Sequence, residues 1–289
     1  MTQSRYRNNA DATVPESLVG VWRRESITLA GGEVDDTTAV YWAQMSQEFI
    51  DIRVPASRPA VHHAKHLDEL SREDLLALTE QKGFSGHTFV EGNRCTWVRD
   101  IDFRPNTGRP DTGIIDVQGD TLVETGYPDS VLGSSYREIY HRQAGGGQRQ
   151  AALTWGAGQS ELHKDAPPAR RLIVIDDYFM YARARATPLP PAETLHELVA
   201  ARFAESPEAV LSLLDCEVSL GRLRDLSPFA QIVISTIPMR EGKALFPRCT
   251  ARPIAQDQLA IVENGSEMTW QIVDGDMTPD ELSELVGHS

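Results

Sequence analysis

The chain has 289 residues, enough for two domains or one large one, and its 40% hydrophobic and 24% charged content is that of an ordinary folded protein. Acidic side chains outnumber basic ones 42 to 28, and the formal charge of −14 repels phosphate backbones and anionic lipid, so no nucleic acid and no membrane surface is expected as a partner. There is no apolar run of roughly 18 residues to span a bilayer and no apolar core of a secretory signal at the start, and Cys95, Cys216 and Cys249 have no CxxC spacing; the expectation is a cytoplasmic protein with reduced, buried thiols.

In chain order, residues 1–17 read as a disordered lead. From Leu18 the pattern predicts a hairpin: a strand through LVGVWRRESITL, a turn at AGGEVDD, and a return strand running through Tyr41, Trp42 and the segment EFIDIRVP. In that return strand Phe49, Asp51 and Arg53 share one face, while Ile50, Ile52 and Val54 share the other. The hydrophilic set suits either solvent or a polar cavity. Ser71 then caps a helix with Asp74 at the capping-box position, Leu75, Leu76 and Leu78 form its apolar stripe, and Gly83 is the expected left-handed stop. A helix placed there is a candidate lid or plug.

Strands are predicted next at Thr96–Arg104, at 114–117 paired with 121–125, and at Tyr136–Arg142. AGGGQRQ at 144–150 is the expected linker. The second half predicts a Trp155 strand, a hairpin across Asp176-Asp177 and a helix opened by Pro190-Pro191 with Leu195, Leu198 and Val199 inward. A short helix at 207–214 follows, then strands near 217–223, 231–239, 243–247, 258–262 and 269–273, and a final helix capped by Thr278 and Glu281. Both halves share one element order, with Cys95 and Cys216 each placed at the entrance of a strand after a helix. This reads as a diverged duplication with units at 18–143 and 151–289. The fold class expected is mostly β: two tandem calycin-like (lipocalin-like) antiparallel β-barrels, each with an inserted helix.

Two features carry a resemblance. Gly20-Val21-Trp22 has the Gly-x-Trp form found at the first strand of calycins. In addition, Phe49-Ile-Asp51-Ile-Arg53, Trp97-Val-Arg99-Asp-Ile101-Asp102, Asp111-Thr-Gly113, Glu124-Thr-Gly126 and Tyr136-Arg-Glu138-Ile-Tyr140 occur in an order that resembles a poorly characterised family of fungal casein-kinase-interacting proteins and their bacterial relatives. That resemblance implies two tandem lipocalin-like barrels and implies little about activity. The second half matches it mainly at Tyr178-Phe-Met-Tyr181-Ala-Arg183, and the helical insert at 67–82 is longer than in the fungal pattern.

Facing inward, Phe49, Asp51 and Arg53 would meet Arg99 and Glu138 on neighbouring strands, with Tyr41 or Trp42, Trp97, Tyr136 and Tyr140 as aromatic walls. Charges inside a barrel must pair, so this set reads as structural bracing, as a ligand site or as a catalytic site. The ligand-binding candidates are Trp42, Phe49, Arg53, Trp97, Arg99, Tyr136, Glu138 and Tyr140; the catalytic candidates are Asp51, Arg53 and Glu138. His62, His63 and His66, with His87 further on, have metal-like spacing without a completing acid or thiol, so no metal and no cofactor is expected. Asp100 and Asp102 read as one solvent face. GxSxG, HExxH and phosphate-loop motifs are missing. The leading expectation is a binding protein for a small, partly apolar molecule, with a carboxylate or enolate as one option. A cofactor-independent isomerase, lyase or cyclase in the same cavity is the alternative, and an interaction scaffold with a filled barrel is the second alternative. Whether the chain is an enzyme stays open, as does homo-oligomer formation.

Overall fold

The computed structural model describes residues 14–61, 64–106, 111–127, 136–145, 147, 149–156, 168–223 and 230–287. The first half contributes β1 (Gly20–Leu29), β2 (Val34–Asp35), β3 (Ala39–Gln44), β4 (Glu48–Val54), β5 (Lys82–Glu91), β6 (Arg94–Asp102), β7 (Asp111–Gln118), β8 (Thr121–Gly126) and β9 (Tyr136–Ala144). Apart from the short β2, which extends β1, each pairs antiparallel with its chain neighbour, and β9 returns to β1. The result is a closed eight-stranded up-and-down antiparallel barrel.

The second half contributes β10 (Gln150–Trp155), β11 (Arg170–Ile175), β12 (Tyr178–Arg183), β13 (Glu217–Leu223), β14 (Ala230–Ser235), β15 (Cys249–Ala255), β16 (Gln258–Glu263) and β17 (Ser266–Gly275). They form one antiparallel sheet in which β17 returns to β10 as β9 returns to β1. Among the described residues no ladder joins β14 to β15, and an isolated bridge from Gln231 to Ala244 lies at that seam. One barrel of the two expected is therefore closed, and its counterpart is a curved sheet open at one seam.

Helices interrupt both halves after the third long strand: α1 (Arg72–Leu78) follows β4, while α2 (Leu195–Arg202) and α3 (Pro207–Leu214) follow β12. A last helix, α4 (Pro279–Gly287), packs on β15 and β16. The repeat extends to register. Arg53 lies opposite Lys82 and Phe49 opposite Gly86 across β4–β5, as Arg183 lies opposite Glu217 and Phe179 opposite Gly221 across β12–β13. Both glycines sit at a register shift, where a Cβ would come within 1.9 Å of the Val98 carbonyl oxygen and 2.4 Å of the Gln231 carbonyl oxygen. Only glycine lets the backbones approach so closely.

The two sheets pack back to back. Ile50, Ile52 and Val54 on the outer face of β4 are buried with Ile173, Ile175, Met180, Val218 and Leu220 from the second sheet, and Leu75, Leu78, Leu195 and Val199 from the helices join the same core. Arg171, 1% exposed, crosses this junction: its Nη1 and Nη2 donate to the two oxygens of Asp100, each at 2.9 Å, and its Nε pairs with Glu48. The interior of the second sheet is a separate apolar core built from residues such as Leu172, Phe179, Phe246 and Trp270, lidded by Leu282 and Leu285 of α4.

Several expectations are corrected. Val14 and Leu18 are buried in the base of the barrel and Glu16–Leu18 forms a 3-10 turn, so the part of the expected lead that is described belongs to the fold. The single return strand is two, β3 and β4, because the chain turns at Met45–Gln47. The Ser71–Asp74 capping box is present, but the helix ends near Thr79 and Gly83 lies inside β5. There a Cβ would meet Val218 at 2.8 Å, so glycine serves the contact between the sheets. Accordingly α1 packs at the junction and is neither lid nor plug. Thr194, rather than the Pro190-Pro191 pair, caps α2. Residues 243–247 form no strand, and β5 and β15 went unread. Cys95 lies at the start of β6, whereas Cys216 stands just before β13, one strand earlier in the repeat, so the two thiols are not equivalent; all three cysteines are buried, and none forms a disulfide among the described residues. Asp100 and Asp102 do not form one solvent face: with a bulge opposite Ser85/Gly86, Asp100 is exposed and pairs with Arg171, while the half-buried Asp102 pairs with Arg99.

Candidate functional site in the first barrel

One end of the barrel is sealed. Val14, Leu18 and Trp22 fill it, the Trp22 indole donates to the Leu18 carbonyl oxygen at 2.9 Å, and the Arg142 guanidinium lies 4.2 Å over the Trp22 ring. Beyond this plug the side chains stop filling the interior. A small, partly open pocket of about 20 Å³, room for a water molecule or so, remains, lined by Trp42, Phe49, Asp51, Arg53, Phe84, Trp97, Asp111, Glu124 and Tyr140. The strand period explains the set. Phe49, Asp51 and Arg53 alternate on β4, and since the Ile50 face is covered by the second sheet, the charged face has only the barrel interior to occupy.

The aromatic walls meet edge to face. Trp42 stands 5.6 Å from Trp97 at 79° and 6.1 Å from Tyr140 at 74°, and Phe49 stands 6.1 Å from Phe84 at 65°. Charges are paired across strands. Arg53 donates through Nε to Asp51 at 2.9 Å and through Nη1 to Glu138 at 3.2 Å, and Arg24 donates to Glu138 and to Asp35, both at 2.8 Å. Tyr140 donates its hydroxyl to Glu138. Arg99 lies 3.5 Å over the Phe84 ring and pairs with Asp102 and Asp111. Burial works against the Arg53 charge, but Asp51 and Glu138 outweigh it and hold the guanidinium firmly protonated. Asp51 itself is raised, because burial outweighs its arginine.

Two residues stand apart. Glu124, 5% exposed, accepts a hydrogen bond from the Tyr136 hydroxyl at 2.6 Å and has no cationic partner among the described residues. Burial, then the nearby Glu138 charge, push its carboxyl well above the ordinary carboxylate range. Lys82, facing inward opposite Arg53, has no ion pair among the described residues; burial and the Arg53 and Arg104 charges lower it to about 8.

Of the residues predicted from sequence, Trp42, Phe49, Asp51, Arg53, Trp97 and Tyr140 line the cavity. Arg99, Tyr136 and Glu138 do not line it themselves, but share the strand faces of Trp97 and Tyr140 and hold Asp111, Glu124 and Arg53, respectively. Tyr41 faces the other way, with the core between the sheets. Phe84, Asp111 and Glu124 were missed as lining residues. Asp111 and Glu124 stand in the Asp-Thr-Gly and Glu-Thr-Gly motifs that the resemblance singled out, whereas Phe84 was hidden in the unread strand. His62 and His63 lie outside the described residues, and among the described residues there is no group of three metal-ligating side chains. No helix is long and apolar enough to cross a membrane among the described residues.

No family model matches the chain, and no curated protein does. Among solved structures it is similar to an uncharacterized protein from Saccharomyces cerevisiae, with a TM-score of 0.51 and 14% identity over 88% of this chain and 97% of that one. The fold is therefore shared across both halves. A lipocalin-like protein from Bacteroides uniformis matches 44% of this chain and 98% of its own, with 14% identity and a TM-score of 0.28.

Proposed function

We propose that this is a small-molecule-binding protein whose ligand, partly apolar, sits in the aromatic-lined cavity of the first barrel. The observation that carries this reading is the contrast between two interiors built on one strand order. The second is packed with apolar side chains, while the first keeps a small, partly open pocket between paired charges and five aromatic rings. In this reading residues 151–289 form a second domain that braces the outer face of β4, which leaves the inner face free for the ligand. Trp42, Phe49, Trp97 and Tyr140 give contact area, and Arg53, Arg99, Tyr136 and Glu138 set the polar wall. Neither a metal nor a cofactor is called for, and the compartment proposed is the cytoplasm. We also place the chain with the casein-kinase-interacting family and its relatives, on the order of its motifs.

A ligand carboxylate is not favoured, because Arg24, Arg53 and Arg99 each already serve carboxylates of the protein. A second reading, a cofactor-independent isomerase, lyase or cyclase using Asp51, Arg53 and Glu138, is favoured by one observation: two carboxyls of the cavity, Asp51 and Glu124, hold protons more tightly than usual. The scaffold reading fits the filled second interior alone.

The test is extraction of the freshly purified protein followed by untargeted mass spectrometry, with wild type compared with Trp97→Ala. A small molecule recovered near one per chain from wild type, and depleted from the folded variant, supports the cavity. Equal recovery from both, or none from either, together with indole fluorescence unmoved by a chemically diverse ligand panel, removes the proposal.

A further inference from the structure

Three basic residues stand side by side at the end of the first barrel away from the plug. Strand β4 starts beside the sealed end, where Gly20 lies opposite Gln44 and Gln44 opposite Phe49, and it reaches Arg53 at the far end. Arg53 lies directly opposite Lys82, the first residue of β5. On the other side of β5 the ladder pairs Phe84 with Asp102, and the Phe103 N–H donates to the Gly83 carbonyl oxygen at 2.8 Å, so Arg104 takes the place opposite Lys82. Facing residues of a sheet have Cβ atoms only about 4.5–5.5 Å apart, and like charges directly opposite destabilise it. One layer deeper the same row reads Asp51, Phe84 and Asp102.

The acids nearby do not relieve this rim. Asp51 is held by Arg53, and Asp102 by Arg99, whose guanidinium lies over the Phe84 ring. Glu138 is shared between Arg53 and Arg24. Arg104 donates through Nε and Nη2 to the carbonyl oxygens of Gln81 and Glu80, at 3.0 and 2.6 Å, and its ion pair among the described residues is with the exposed Glu80 carboxylate at 3.9 Å. Its Nη1 has no partner among the described residues. Lys82 is half-buried, and it makes neither a hydrogen bond nor an ion pair among the described residues. Burial, then the Arg53 and Arg104 charges, lower its pKa to about 8, so the field at this amine is positive.

We propose that the rim row of Arg53, Lys82 and Arg104 binds the phosphate group of a small, soluble phosphomonoester. Such a group carries roughly −1.5 to −2 charges at neutral pH and three strong acceptor oxygens, which matches a row of three cations. Lys82 brings a compact charge with three free donors, and the arginines bring planar forks on either side of it. Binding replaces repulsion along the row by attraction to each member. A carboxylate, with one charge and two oxygens, leaves the third cation unserved. The net charge of −14 keeps the whole molecule off an anionic bilayer, so the phosphate comes from a soluble ester rather than a lipid headgroup. The pocket below has only about 20 Å³, so the organic part of the ester stays at the mouth. The site lies on the rim and goes beyond the binding reading of the pocket, standing whether or not the pocket holds a molecule.

The experiment has two arms. First, thermal melting and calorimetry of the full chain use inorganic phosphate, phenyl phosphate and acetate as probes, with sodium chloride at matched ionic strength as the control for screening. Both phosphates are expected to raise the wild-type melting temperature above the chloride control, and acetate is not. Lys82→Met and Arg104→Met should each weaken phosphate at least about tenfold, while Lys82→Arg, which keeps the charge, should retain it within a few fold. Without phosphate, Lys82→Met should melt no lower than wild type, because it loses no partner and removes a repulsion. A lower melting temperature there would mark Lys82 as a brace of the barrel and overturn the proposal. So would equal stabilisation by phosphate and chloride, equal phosphate affinity in wild type and Lys82→Met, or tighter binding of acetate than of phosphate. Second, sedimentation with vesicles containing phosphatidic acid separates the two sources of phosphate. Protein that stays in the supernatant fits the soluble ester, whereas wild type that pellets while Lys82→Met does not would overturn that assignment in favour of a lipid headgroup.

Discussion

Arg53→Ala measures whether the charged lining of the barrel is a buried network. Arg53 ties together carboxylates from two strands, Asp51 on β4 and Glu138 on β9, which are 3% and 1% exposed. Truncation leaves both acids in place with unequal consequences. Glu138 keeps Arg24 at 2.8 Å and the Tyr140 hydroxyl. Asp51 keeps no direct cation, since its hydrogen bonds among the described residues both come from Arg53. The cost is therefore that of one orphaned buried carboxylate, about 3–5 kcal/mol. Asp51 escapes part of it by taking a proton. Its pKa already lies above the usual 3.8 through burial, and loss of the Arg53 charge raises it further. A carboxyl raised in the folded state adds stability that is complete below its unfolded pKa and is lost as pH climbs through the folded one. The deficit of the variant relative to wild type should thus be small near pH 4 and grow towards pH 8. Urea unfolding followed by tryptophan fluorescence at both pH values measures it. Arg53→Met combined with Asp51→Leu should recover most of the loss, because apolar replacement of a whole buried pair is often neutral. A loss below about 1 kcal/mol at pH 8, as for a solvated pair, with no pH trend, refutes the buried network.

Arg171→Ala should loosen the junction between the sheets by about 3–5 kcal/mol, because Asp100 and Glu48 both lose their guanidinium, and hydrogen exchange should accelerate on β4 and β11 together. Burial opposes the Asp100 charge but Arg171 prevails and lowers its pKa, so this contribution is complete above pH about 4 and disappears as pH falls through the lower folded value; an acid-unfolding profile of Arg171→Met as steep as that of wild type would contradict it. Gly86→Ala places a methyl carbon against the Val98 carbonyl oxygen and should prevent barrel closure or cost more than about 3 kcal/mol, whereas Gly92→Ala, with open space but a φ of 64°, should cost about 1 kcal/mol; equal melting temperatures for the two would refute the close-approach argument. Lys82, lowered to about 8, should reach its limiting acetylation rate near pH 8 in a mass-spectrometric pH series, and a rate that keeps climbing well beyond that pH would remove its perturbation.

Much of the local structure was legible because local chemistry decides it. The Ser71 and Thr278 capping boxes and the turn at Asp176-Asp177 follow from side chains that satisfy backbone groups a few residues away. Alternation on β4 likewise told which residues travel together: Phe49 with Asp51 and Arg53, Ile50 with Ile52 and Val54. Tertiary structure alone decided which of those faces looks into a cavity, since that choice depends on a second sheet more than a hundred residues away covering the isoleucines. β5 was illegible for a related reason. Gly83 and Gly86 read locally as breakers, but they are required by close contacts with Val218 and with the Val98 carbonyl, and neither contact leaves a trace in neighbouring sequence. One extra residue at the Ser85/Gly86 bulge separates Asp100 from Asp102, one to Arg171 and one to Arg99, against simple strand period. Composition and pattern thus determined that the chain is a repeated β structure with one amphipathic charged strand. Long-range packing decided that one copy closes around space and the other fills, because closure and filling depend on contacts between strands that sequence spacing does not encode.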